Sequence, residues 1–304
     1  MSQRFSSSLP RLLIVGCGDV GMRLLPLLRG RFKVFALTSQ PERRAELRAA
    51  GAIPLVADLD RLATLGRLRN LAPWVLHLAP PQAEGEHDLH TRHLVAALGQ
   101  VRRLVYVSTT GVYGDCGGAL VHESRPVAPR NARARRRVDA ERILRAWGLA
   151  TGARVSILRV PGIYADDRLP LKRLQQGTPA LRPEDDVYTN HVHADDLARI
   201  VLASLWHGRS GRVVHAVDDT RMKMADYFDA VADALGLARP PRLPRAELQA
   251  LVTPMLLSFM SESRRLDNTR MKRELRVRLR HPDVAATLAR LNSGRRPEGE
   301  LHDL

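Results

Sequence analysis

Six short apolar runs, rich in β-branched residues, recur between residues 12 and 159, and a helical pattern separates each from the next. LLIV (12–15), KVFALT (33–38), AIPLVAD (52–58), WVLHLA (74–79), RLVYVST (103–109) and RVSILR (154–159) read as strands. Helical patterns fall at about 19–29, 41–50, 60–70, 85–99 and 132–150. Strands that are apolar throughout, rather than alternating with polar residues, are buried on both faces. Helices between them turn each connection into a crossover, so the pattern predicts an α/β fold built on a doubly wound parallel sheet.

After residue 160 the rhythm breaks. Residues 165–187 are polar, proline-bearing and weakly periodic, YTNHVHADDLARIVLASLWHG (188–208) returns to a strand and a helix, and RVVHAVD (212–218) reads as another strand. The expected organisation is a sheet domain over 1–164, completed by 188–218. Residues 165–187 and 219–304 then form a smaller substrate-binding or lid region.

The chain has 304 residues, 44% of them hydrophobic and 26% charged, which is ordinary globular composition. A net charge of +16 suggests a polyanion as partner, but the charge is nearly all arginine and is scattered through surface-patterned helices. Aromatic residues, at 4%, offer no stacking platform, so nucleic acid is not the expected partner. Two cysteines, Cys17 and Cys116, give no disulfide framework, and no apolar run approaches the length of a membrane span. A soluble protein of the cytoplasm is expected, with a homodimer among the states left open.

LLIVGCGDVGMRLLPLL places Gly16, Gly18 and Gly21 in the G-x-G-x-x-G pattern, directly after a strand and opening a helix. Glycine at these positions allows a tight turn, close approach of a pyrophosphate to the backbone, and packing of helix on strand. In that context the loop, with Asp19 and Val20, predicts a dinucleotide-binding Rossmann domain. The second strand ends ALTSQPERR, with no acid to accept ribose hydroxyls. Thr38, Ser39 and Arg43 suit a 2′-phosphate instead and favour NADP over NAD. The same residues also read as a capping box, Ser39-x-x-Glu42 with Pro41 in the first turn. Asp58 and Leu59, ending the third strand, would lie against the adenine, or Asp58 merely closes a turn.

The order GCGDVG, VADL, HLAPP, YVSTTGVYGD, ILRVPGIY and NHVHADDLA resembles the extended short-chain dehydrogenase/reductases, the group of nucleotide-sugar epimerases and dehydratases, and more closely their atypical branch. The resemblance covers about residues 11–290. It implies that Ala79, Pro80 and Pro81 lie along the cofactor, that Thr109 holds a substrate oxygen, that Tyr113 forms the substrate wall, and that Pro161 lies beside the nicotinamide. It implies an oxidoreductase or epimerase-like enzyme acting on a phosphorylated or nucleotide-linked small molecule. A metal is not expected: His191 and His193 are spaced as alternate residues of a strand, with no third ligand apparent.

The family's proton transfer needs Tyr-x-x-x-Lys early in the helix after STTGVYGD. Aligned on Glu141, that helix carries Arg133 at the tyrosine position and Arg137 at the lysine position, inside the run RNARARRRVDAE (130–141). A guanidinium stays protonated near neutrality, so Arg133 is neither acid nor base. Thr109 and Tyr113 are the candidate catalytic residues that remain, and Arg137 the candidate contact to the cofactor. A protein that binds NADP(H) as a redox sensor without turnover is the alternative. Arg133, Arg136 and Arg137 share a stripe with the buried positions Ala140 and Leu144. Their charge is offset either within the helix, by Arg135–Asp139 and Arg137–Glu141 pairs, or by a phosphate-bearing ligand.

Overall fold

The computed structural model describes residues 9–253, 256–257 and 260–294. The expected domain's residues 1–8 and, in the lid region, 254–255, 258–259 and 295–304 lie outside the described residues.

Seven parallel strands form the central sheet: β1 (Arg11–Val15), β2 (Lys33–Thr38), β3 (Ile53–Val56), β4 (Trp74–His77), β5 (Arg103–Thr109), β6 (Arg154–Val160) and β7 (Arg212–His215). Their order is β3-β2-β1-β4-β5-β6-β7, with every neighbouring pair parallel. The chain thus winds outward from β1 in one direction and, after β3, returns to build in the other. That reversal opens a crevice beyond the carboxyl ends of β1 and β4, where doubly wound folds bind nucleotides.

Apolar side chains cover both faces, as the unbroken strand runs require. On one face Leu12, Ile14 and Val105 pack with Leu24 and Leu28 of α1 (Asp19–Leu28), Leu47 of α2 (Arg44–Ala49), and Val201 and Leu205 of a later helix, Ala194–His207. On the other, Leu13, Val15 and Tyr106 meet Leu65, Leu94 of α3 (Leu89–Ala97), and Ala140 and Leu144 of α4 (Ala132–Thr151). A separate cluster around Tyr164, Phe228, Val231, Val284 and Leu288 forms the C-terminal core.

Two connections differ from the sequence reading. The segment expected as a helix over 60–70 is a 3₁₀ run, Leu62–Leu68, with Gly66 inside it, held at its start by the Thr64 hydroxyl, which bonds the carbonyls of Asp58 and Arg61. The helix expected from 85 begins at Leu89, capped by Asp88, whose carboxylate accepts from the Thr91 N–H at 2.8 Å. Residues before it form a loop that α4 holds in place, as described below.

Candidate active site

Gly16 follows β1 at φ +85°, and a Cβ there would stand 2.5 Å from the Ala79 nitrogen. The glycine therefore lets the end of β4 close on the end of β1, where the Ala79 N–H donates to the Val15 carbonyl at 2.9 Å. Gly18 is different: nothing lies within 4 Å of where a Cβ would stand. It caps α1 without a side chain, and the first N–H groups of α1, from Asp19 and Val20 onward, face that open space with no intrahelical partner. A Cβ on Gly21 would meet the Cys17 sulfur at 2.9 Å, so this third glycine serves packing of helix on turn. A backbone cradle with free donors and no side chain in the way fits a pyrophosphate.

At the far end of the cradle, Arg43 donates to the Cys17 carbonyl at 2.7 Å and forks onto Glu46. The expected capping box is not formed. Gln40 caps the 3₁₀ turn Pro41–Arg43 without a side-chain bond, and the Thr38 hydroxyl, not Ser39, accepts from the Gln40 N–H. Ser39 is exposed beside Arg43. Asp58 closes its own turn, accepting from the Asp60 N–H at 3.0 Å, while the Leu59 carbonyl bonds the His93 ring at 2.6 Å. Pro80, next to Pro81, accepts through its carbonyl from the His90 ring at 2.9 Å.

The arginine run on α4 resolves into separate tasks. Arg135 pairs with Glu86, and Arg136 donates to the Gly85 carbonyl, so both hold the loop after β4. Arg137 is buried and donates to the Val107 carbonyl at 2.9 Å, the Tyr106 hydroxyl at 3.0 Å and the Ala79 carbonyl at 3.4 Å, tying β5 to the segment after β4. The expected pairs Arg135–Asp139 and Arg137–Glu141 are absent among the described residues. Asp139 turns instead to Arg92 and the Asp88 N–H. Glu141 is drawn inward by Arg159, at 2.7 and 3.0 Å, and by Ser108 at 2.8 Å. A fixed partner in the core outcompetes a mobile neighbour one turn away.

Arg133 alone of this run lines the principal pocket, about 770 Å³, together with Thr109, Asn131, Pro161, Gly162, Tyr188, His191, Tyr227 and Phe228. Partial desolvation, then repulsion from Arg137 and Arg136, holds its pKa below the usual guanidinium value. No carboxylate pairs with Arg133 among the described residues. The pocket's other arginines are matched: Arg168 pairs with Asp19 at 2.6 Å and Arg264 with Glu262 at 2.8 Å. Thr109 accepts from the Gly111 N–H at 3.2 Å, which fixes its hydroxyl at the pocket edge.

Tyr113 does not reach this pocket, which corrects its expected place on the substrate wall and its candidacy as the replacement acid. Its ring is 1% exposed, and its hydroxyl lies 2.6 Å from the His215 Nε2. His215 Nδ1 lies 2.9 Å from the Asp267 carbonyl, which can only accept, so Nδ1 carries the ring proton and Nε2 accepts the hydrogen bond that the Tyr113 hydroxyl donates. Arg159 stacks over the Tyr113 ring at 4.7 Å. The phenol is part of a packed polar core and does not line the pocket.

Groups that sequence reasoning did not single out include Tyr227 and Phe228 on the helix Met224–Leu235, Glu262 and Arg264, and the buried Asp218 behind them. They come from the aperiodic C-terminal third, where no local pattern marks a pocket wall. His193 also has neighbours that the H-x-H spacing did not reveal: Asp195 and His281 lie with it within 4.8 Å. The expectation of no third ligand is corrected to that extent. The His193 and His281 rings, however, stack 3.5 Å apart at 3°, so their nitrogen lone pairs run parallel rather than converging on one point.

This fold and cleft define an NAD(P)-binding oxidoreductase or epimerase-like enzyme. The chain belongs to the NAD dependent epimerase/dehydratase family, whose model matches residues 13–217. It is 28% identical over 273 residues to a GDP-6-deoxy-D-mannose reductase of Pseudomonas aeruginosa, covering 78% of this chain and 86% of that one. Among solved structures, a functionally unknown conserved protein from Silicibacter pomeroyi superposes with a TM-score of 0.78 at 29% identity, over 94% of this chain and 99% of the other. A dTDP-glucose 4,6-dehydratase from Streptomyces venezuelae, solved with NAD bound, shares the fold at a TM-score of 0.74 and 24% identity, over 93% and 96% of the two chains. No helix among the described residues is long and apolar enough to cross a membrane.

Proposed function

We propose that the protein is an NADP(H)-dependent reductase or epimerase-like enzyme of the cytoplasm, acting on a phosphorylated or nucleotide-linked polyhydroxy compound without the usual tyrosine acid. The observation that carries this is Arg133: a cation with no carboxylate partner among the described residues, on the wall of a pocket of about 770 Å³, beside Thr109 and Pro161. An anionic substrate group offsets that charge, where the family's mechanism would place a phenol. The reductase relative acts on a nucleotide-linked sugar, which has the same anionic chemistry.

When bound, the cofactor supplies hydride exchange. The chain's own residues do the rest. Gly16, Gly18, Asp19, Val20 and Gly21 cradle the pyrophosphate through the backbone, and Thr38, Ser39 and Arg43 take the 2′-phosphate that distinguishes NADP from NAD. Asp58, Leu59, Ala79, Pro80 and Pro81 line the cofactor's path. Arg137 holds the strand ends that shape it, and Pro161 sits against the nicotinamide. Thr109 orients a substrate oxygen, and Arg168, Met224, Tyr227, Phe228 and Arg264, from the later segments, close the pocket's other wall against water. A small anion, rather than nucleic acid or membrane, is the partner.

The test is a panel of phosphorylated and nucleotide-linked keto sugars, followed through nicotinamide absorbance with NADPH and NADH. Turnover that drops on Thr109→Ala supports the reading; unchanged turnover in that variant contradicts the role of Thr109. Because neither Arg133 nor Tyr113 can donate a proton to substrate, a second reading stands beside the first: a redox sensor that binds NADP(H) without turnover. Tight cofactor binding with no activity across the panel favours it.

A further inference from the structure

A cation from the pocket wall reaches the head of α1. Arg168 closes a turn after the strand Gly162–Tyr164, where its N–H donates to the Ala165 carbonyl at 2.9 Å. Its side chain lines the principal pocket and extends to Asp19, the first residue of α1, with Nη1 2.6 Å from the carboxylate Oδ2. One guanidinium thus spans the distance between the pocket and the helix end that offers its N–H groups to a pyrophosphate. Gly18, next to Asp19, leaves that end uncovered, since nothing lies within 4 Å of where its Cβ would stand.

Two arginines share Asp19, and they differ in what else they hold. Arg23 donates from Nε to Asp19 at 3.0 Å, from Nη1 to Asp195 at 2.7 Å and from Nη2 to Asp167 at 2.6 Å, so each of its nitrogens has a carboxylate. These bonds tie α1, the 165–168 turn and the helix Ala194–His207 together, and they anchor the turn that carries Arg168. The turn's acids are directed elsewhere: Asp167 to Arg23, and Asp166 towards His193, 3.8 Å away. Arg168 gives only Nη1 to a protein acceptor among the described residues, and its side chain is 38% exposed. Its Nε and Nη2 carry N–H groups that can fork onto phosphate oxygens.

Charge gives the second half of the argument. A carboxylate in the first turn suits the positive end of an empty α1, but a pyrophosphate brought to the same N–H groups meets its negative charge. Arg23 by itself keeps Asp19 paired, so Arg168 can turn to the phosphate without leaving the acid bare.

We propose that Arg168 is a phosphate ligand of the dinucleotide, adding a side-chain cation to the backbone contacts of the glycine cradle and joining the cofactor site to the pocket wall. The inference rests on the cofactor reading above. Because the pyrophosphate is common to NADPH and NADH, Arg168 adds affinity for both alike, whereas Arg43 is assigned to the 2′-phosphate.

Fluorescence titration of the full-length protein with NADPH and NADH tests this in wild type, Arg168→Gln, Asp19→Asn and the double variant, each first shown to be folded by circular dichroism. Arg168→Gln is expected to weaken both cofactors by the same factor, about 10-fold or more, the scale of one charge-assisted contact. The same loss is expected when Asp19→Asn is already in place. If Arg168 served only to neutralise Asp19, its removal in the Asp19→Asn background would cost nothing, and that result overturns the proposal. A loss confined to NADPH also overturns it, because it places Arg168 at the 2′-phosphate. Wild-type binding that Arg168→Gln leaves unchanged contradicts this proposal alone; wild-type protein that binds neither cofactor overturns the cofactor reading and the proposal together.

Discussion

Arg43 donates to the Cys17 carbonyl oxygen across 2.7 Å and so ties the turn after β2 to the glycine loop after β1. The contact sets a guanidinium beside the glycine loop, and the same side chain grips Glu46. Position and charge are both fixed before any nucleotide arrives.

Removing that cation tests cofactor choice. Charge-assisted hydrogen bonds contribute roughly 1.5–3 kcal/mol, so Arg43→Ala should weaken NADPH binding by about 10- to 100-fold. NADH, which lacks the 2′-phosphate, should lose far less. Fluorescence titration of both cofactors measures the difference, and equal losses would assign Arg43 to loop structure alone.

Glu141 and Arg159 form the most enclosed ion pair of the site, with side chains 2% and 4% exposed. Glu141→Ala leaves Arg159 buried against Tyr113 without its counter-charge, which should cost about 3–5 kcal/mol in urea unfolding. Replacing both residues by apolar ones of similar volume should recover much of that loss. A double variant as unstable as the single one would mean that the pair itself is the stabilising element.

Acid should unfold the protein through its buried histidines. Burial foremost pushes His77 and His191 down to about 3 and His215 to about 4. An unfolded chain binds these protons near pH 6.5 and the folded one does not. Their stabilising effect is therefore complete above about pH 6.5 and lost as pH falls towards 4, at about 1.4 kcal/mol per unit and group. Asp218 acts in the opposite sense. Its folded pKa is raised, so it favours folding below about pH 4 and loses that effect as pH rises to about 7. Melting temperature should thus drop between pH 6.5 and 4.5, and Asp218→Asn should stabilise the fold more at pH 8 than at pH 4. A flat profile would contradict the assigned burial.

Arg133→Ala should leave melting temperature and NADPH affinity near the wild-type values, since its guanidinium pairs with no carboxylate among the described residues. Binding of an anionic probe such as UDP to the NADPH complex should fall by about 10-fold or more in calorimetry, by the scale of one charge-assisted contact. Unchanged UDP binding would remove Arg133 from the anion site.

Much of the sheet was legible because its strands are continuously apolar and its helices amphipathic; both are local signals. The glycine loop was legible because three glycines at fixed spacing meet a geometric need. The tasks of Arg135, Arg136 and Arg137 were not, because Glu86, Gly85 and Val107 lie about 30 to 50 residues away in sequence, and helical spacing pointed to nearer partners that the core outcompetes. Tyr113 was misread for the same reason: its position in STTGVYGD says nothing of His215, 102 residues on, which claims its hydroxyl. Asp218 looked like the end of a strand. Its isolation from cations appears only once the C-terminal third packs over it.

The central claim is that this cleft binds NADP(H) in a fold whose proton-transfer pair has been replaced. Direct titration of purified protein with NADPH and NADH, read by cofactor fluorescence, tests it most closely. The account predicts saturable binding of both at one site per chain, with NADPH tighter by about tenfold, the scale of one charge-assisted contact to the 2′-phosphate. Binding of neither cofactor would contradict both the enzyme and the sensor readings.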